Sequence, residues 1–190
     1  MKRSLMIFLA VLLFSTAASA QIYGYIGLFA DDTHTSWCGS AAEVPGMLTM
    51  YVFCLPRSDG MYCAEFQLLM PADASLILAS ATPQAGYSVI MGDLASGVSF
   101  CFLECKNDWI WIYSVGLLDT GGNRNVISIG PNPLSGGILF NNCVEPLRPE
   151  YDAVVFNNFY VNYVDGTDPE CDETGTAERT WGAIKSMYTE

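Results

Sequence analysis

The chain has 190 residues, 51% of them hydrophobic, with 20 acidic against 8 basic residues and a formal net charge of −12. That length suits one domain with a substantial core, and that hydrophobicity excludes disorder over most of it. The acid excess repels phosphate backbones and anionic lipid, so nucleic acid is not an expected partner.

Lys2 and Arg3 precede an apolar run over residues 5–14, and Ala18-Ser19-Ala20 is a small-x-small cleavage site. Residues 1–20 read as a secretory signal peptide, with Gln21 as the mature N-terminus. The apolar run is half the length of the roughly 20 residues that a spanning helix needs. Without Lys2 and Arg3, 6 basic residues face 20 acidic ones, a formal charge of −14. The expectation is a secreted protein, released or held at the cell surface, with no membrane insertion after signal cleavage.

Residues 21–30 (QIYGYIGLFA) form the first strand candidate, followed by a polar loop over 31–40. Residues 47–55 (MLTMYVFCL) and 61–70 (MYCAEFQLLM) flank Pro-Arg-Ser-Asp-Gly, a hairpin signal. Further strand candidates are residues 76–81, 87–91, 98–103, 109–117, 125–129, 138–142 and 153–164, with Gly, Pro and Asn in the gaps. No segment of residues 21–170 holds a helical period over three turns. Short strands at this spacing predict an all-β antiparallel sandwich over residues 21–164. Residues 165–180 are acidic and turn-rich, a linker. Residues 181–190 form a short C-terminal tail in which Trp181, Ile184 and Tyr188 fall at helical spacing, a candidate recognition element for surface retention.

Seven cysteines follow the signal, and in an exported chain they predict disulfides. No CxxC pair exists and His34 is the one histidine, so zinc is not expected. A two-residue turn at Ser58-Asp59 would face Cys54 with Cys63, while Phe53, Tyr51 and Thr49 would meet Ala64, Phe66 and Leu68 on the core face. This register predicts a Cys54–Cys63 disulfide on the hairpin's outer face. Cys105 pairs with Cys143, and Cys38 ties the first loop to Cys171. Cys101 is left as a buried free thiol, with Cys101–Cys105 a rival pairing.

Asp31, Asp32, His34 and Ser36 lie close in sequence, but a catalytic triad is assembled by the fold from distant positions. A polar loop whose Asp side chains cap backbone amides is the simpler reading. Glu65, Asp93, Glu104 and Asp108 are carboxylates available for glycoside hydrolysis, though nothing singles out a pair. No cofactor is expected. Calcium is the one candidate ion, with Asp165 and Asp168 as hard oxygen ligands in the acidic segment. Trp109, Trp111 and Tyr113, spaced by two, are placed on one strand face: a sugar-stacking platform if exposed, inter-sheet core if buried.

The segment 47–81, on Ala64, Phe66, Leu68, Pro71, Asp73 and Leu76, resembles the early strands of cohesin-like bacterial surface β-sandwiches. The ending TWGAIKSMY resembles the short tails of exported proteins from environmental bacteria. The resemblance implies an Ig-like or cohesin-like sandwich, exported and displayed. The leading functional expectation is a non-catalytic domain for adhesion or protein interaction at the bacterial surface. The alternatives are a carbohydrate-binding module using Trp109 and Trp111, and a secreted hydrolase built on His34 or an acid pair. The expected partner is a protein or glycan at the cell surface.

Overall fold

Runs rich in branched and aromatic residues, broken by Gly, Pro, Asn and Asp, set the strands. In the computed structural model, which describes residues 23–163 and 167–171, they are β1 (Gly24–Phe29), β2 (Cys38–Gly39), β3 (Gly46–Leu55), β4 (Met61–Leu69), β5 (Leu76–Pro83) and β6 (Tyr87–Asp93). They continue as β7 (Gly97–Lys106), β8 (Ile110–Asp119), β9 (Asn125–Gly130), β10 (Leu139–Asn141), β11 (Glu150–Val155) and β12 (Phe159–Val161). A 3-10 turn, Pro169–Cys171, ends the described chain, and no α-helix occurs among the described residues. The signal peptide lies outside them, as does the tail with Trp181, Ile184 and Tyr188. The strand expected over residues 153–164 is two, because the chain changes partner at Phe156.

One sheet runs β5-β8-β3-β1, antiparallel throughout. The other is built on β4, which pairs with β7 along one side and with β10, then β9, along the other. β6 extends it beyond β7, and β12 and β2 extend it beyond β9. β11 joins the two sheets at one edge, pairing with β10 through residues 150–152 and in parallel with β1 through residues 153–155. Between the sheets lie Ile26, Leu28, Leu48, Met50, Val52 and Cys54 from one side, and Ala64, Phe66, Leu68, Phe100, Phe102 and Phe140 from the other. This is the aligned sandwich arrangement, with each sheet contributing alternate residues.

The hairpin expectation is corrected here. Residues 57–60 do make a tight turn, with Gly60 N–H donating to Arg57 O at 2.9 Å. Yet β3 and β4 do not pair with each other; the turn carries the chain from one sheet to the other. β3 therefore buries the opposite parity from the one read: Met50, Val52 and Cys54 are fully buried, and Tyr51 faces outward. Cys54 is the free thiol, not Cys101, and the Cys54–Cys63 bond is replaced by Cys63–Cys101, joining facing residues of β4 and β7. The rival Cys101–Cys105 pairing is excluded by the same bond. Cys105–Cys143 and Cys38–Cys171 are present as paired from the sequence.

Candidate functional site

The aromatic strand motif is divided by the backbone. β8 is an interior strand between β3 and β5. Val52 pairs with Tyr113 but Phe53 pairs with Trp111, so Ile112 is an extra residue on β8. A bulge of this kind reverses which face follows. Before it Ile110 and Ile112 point into the sandwich; after it Tyr113, Val115 and Leu117 do. The three aromatics therefore do not share a face. Tyr113 is core, 5.5 Å from the Phe100 ring. Burial, then the nearby Tyr87, pushes its hydroxyl up to about 12.

Trp109 and Trp111 lie on the outer face, in a second cluster around the buried rings of Phe29, Trp37 and Phe53. The loop over residues 30–37 covers one end of it. Asp31 organises this loop: its carboxylate accepts from the N–H groups of Thr33, Thr35 and Ser36 and from the Thr33 hydroxyl. Partial burial pushes the Asp31 carboxyl up, but these bonds outweigh it and hold it below the usual range. The turn sets His34 at φ 52° and stacks its ring on Trp109 at 4.8 Å. Phe156 meets Trp109 edge-on at 5.8 Å. Trp109 is thus the filling of a small outer core. Trp111 is half-buried at its margin, edge-on to Tyr51 at 6.0 Å. Tyr51 was missed from the sequence because its outward direction follows only from the true parity of β3.

The hydrolase candidates are not brought together. The Ser36 hydroxyl donates to Cys38 O at 3.3 Å, and no hydrogen bond joins it to His34. Glu65 accepts from the Ser99 hydroxyl, Asp93 caps the β6–β7 turn, and Asp108 accepts from the N–H of Trp109. Asp165 lies outside the described residues. Asp168 is buried, and its carboxylate holds the Arg124 guanidinium at 2.9 Å. With the 171–38 disulfide and the bond from Trp37 Nε1 to Glu170 O at 2.5 Å, this ion pair fastens residues 167–171 to the sandwich. Among the described residues, this stretch packs against the sandwich.

A second surface emerges on the opposite sheet. Ser99, Cys101 and Leu103 of β7 alternate outward with Val89 and Met91 of β6 and with Cys63 and Glu65 of β4. Val89 is 46% exposed, Met91 61% and Leu103 64%. The Cys63–Cys101 disulfide lies within this strip. On β11 the buried Tyr151 and Ala153 leave Glu150 and Asp152 facing out along the same sheet. Apolar residues at alternate positions 89 and 91 were a usable sequence signal, but Ile90 between them blurred it.

No protein-family model matches the chain, and no curated protein does. Solved structures do resemble it. The seventh ScaB type I cohesin from Pseudobacteroides cellulosolvens is 14% identical with a TM-score of 0.53, covering 77% of this chain and 95% of that one. The cohesin module of a family 33 glycoside hydrolase from Clostridium perfringens is 10% identical with a TM-score of 0.53, covering 75% and 98%. The sixth cohesin of scaffoldin B from Acetivibrio cellulolyticus, solved in complex with a Cel5 dockerin, is 13% identical with a TM-score of 0.51, covering 75% and 99%. The likeness is one of fold: the chain folds as a cohesin-like β-sandwich.

Proposed function

We propose that this chain is a secreted, non-catalytic β-sandwich that binds a protein at the bacterial cell surface through the outer face of the β6-β7-β4-β10 sheet. The observation that carries the reading is the exposed apolar strip of Val89, Met91 and Leu103. Contiguous exposed apolar side chains on a rigid sheet are a feature of interaction sites. Three disulfides suit an oxidising compartment, and one of them, Cys63–Cys101, cross-links β4 to β7 within the strip. Glu65, Glu150 and Asp152 at the rim favour a partner with an apolar ridge flanked by Lys or Arg. One structure of the same fold, the Acetivibrio cellulolyticus cohesin, is solved with a bound dockerin, so this architecture supports protein recognition.

The test is a photo-cross-linking residue at position 91 in the mature chain, added to intact cells of the source organism. A discrete cross-linked protein is expected, lost when Leu103→Glu is added, while a cross-linker at position 77 on the other sheet gives no such product. Cross-linking from position 77 but not 91 would overturn the reading.

A further inference from the structure

The outer face of the β5-β8-β3 sheet presents an ordered, uncharged surface. Its rows follow from register. Ile77, Leu118 and Met47 form one row; Ser80, Gly116 and Thr49 the next; Thr82, Ser114 and Tyr51 the third. The buried partners Leu48, Met50, Val52, Val115 and Leu117 fix these nine positions as outward. The floor is confirmed at Gly116, where a Cβ would meet Ser80 Oγ at 2.4 Å and Met47 Cε at 3.3 Å. Both side chains therefore lie across the glycine on the solvent side.

None of the nine residues is charged, in a chain whose net charge is −12. The hydroxyls of Thr49, Ser80, Thr82 and Ser114 make no hydrogen bond among the described residues, nor do Tyr51 Oη and Trp111 Nε1. Trp111 and Tyr51 close one end with two half-buried rings set edge-on. Strand spacing makes the patch roughly 10 Å wide and 14 Å long. We infer that this face binds a neutral polysaccharide strand, with a sugar ring against Trp111 and Tyr51 and its hydroxyls on the free hydroxyl rows.

The chemistry selects this occupant. A pyranose has an apolar C–H face suited to an aromatic ring and a rim of hydroxyls that both donate and accept. Ser and Thr hydroxyls do the same, and a charge-free floor adds no desolvation penalty for fixed charges. The surface differs in place and chemistry from the apolar strip on the other sheet. It replaces the Trp109, Trp111 and Tyr113 platform, of which only Trp111 stays available.

Affinity electrophoresis of the mature chain through gels containing mixed-linkage β-glucan, xyloglucan, galactomannan or polygalacturonate tests the assignment. Retardation by at least one neutral polymer is expected. Thr82→Glu, at an exposed position, should weaken it at least tenfold with unchanged circular dichroism, as should Trp111→Ala. Met91→Glu should bind the polymer like the unaltered chain, which separates this face from the protein-binding strip. Absence of retardation by every neutral polymer, stronger retardation by polygalacturonate, or full binding by Thr82→Glu would overturn it.

Discussion

Cys54 shows how a residue's chemistry is decided by the sheet it falls in. Its neighbours across β3 are Ile26 on β1 and Ile110 on β8, and its side chain is fully buried. Burial raises the thiol well above its ordinary range, so the reactive thiolate is disfavoured and the group behaves as a small apolar side chain. The folded chain should show no thiol towards an aromatic disulfide reagent, and one per molecule in guanidinium. Peptide mapping should return Cys63 linked to Cys101. A native thiol count of one would reject the burial of the free cysteine, and a Cys54-containing disulfide would reject the pairing. Cys54→Ala should fold with a loss of about 1 kcal/mol, since only a sulfur-sized cavity forms. The sequence could supply the count of seven, and hence one odd cysteine, but naming it needed the strand partners.

At the scale of elements, most strand positions were legible because composition and breakers are local signals. Strand pairing was not, because a turn fixes the bend of the chain but not which sheet the next strand enters. The Ser58-Asp59 turn is real, yet Gly60, at φ +76°, leads into β4 of the opposite sheet, not back along β3. The β8 bulge at Ile112 was invisible for a similar reason: both faces of Trp109–Tyr113 are apolar, so no polar residue marks the change of parity. Local bonds also replace strand pairing where β11 ends. Asn157 donates from Nδ2 to Leu28 O and accepts at Oδ1 from Leu28 N–H, both at 2.8 Å, so one side chain continues the ladder along β1. Gly27 makes this possible, since a Cβ there would meet Asn157 Oδ1 at 2.5 Å. Asn157→Ala strands both Leu28 groups and should cost about 2 kcal/mol in a urea titration. Asn157→Asp keeps the acceptor but not the donor and should fall between the two. Equal stability of Asn157→Ala and the unaltered chain would show that the clamp contributes nothing.

For the whole molecule, the sandwich followed from alternation and turn spacing, while the two candidate faces required the register of three strands at once. Acid excess is the other global property, and it was visible in the sequence without its structural use. Several carboxylates are employed as acceptors at the ends of strands. The buried Asp119 accepts from Asn162 Nδ2 at 2.6 Å and from the N–H groups of Gly121 and Gly122. Burial pushes its carboxyl up, but these bonds prevail and hold it below the usual range. Nearby Asp73 is brought down to about 2, first by the N–H of Ser75 and then by Asn123. Asp93 is lowered by the Ser96 hydroxyl and N–H. A carboxyl whose folded value is depressed stabilises the fold above its ordinary value and loses that contribution as pH falls through the depressed one. The melting temperature should therefore hold from pH 7 to 5 and decline between about pH 4 and 2. Relief of mutual repulsion among the acids acts in the opposite direction over the same range, but screening by salt weakens it, whereas the bonds to Asp119 are local and shielded. Asp119→Asn places an amide donor against Asn162 or the two glycine N–H groups, so it should lower the melting temperature at pH 7. It should also flatten the acid decline, because the titrating group is gone. A decline of the same depth in Asp119→Asn would assign acid sensitivity to the exposed carboxylates instead.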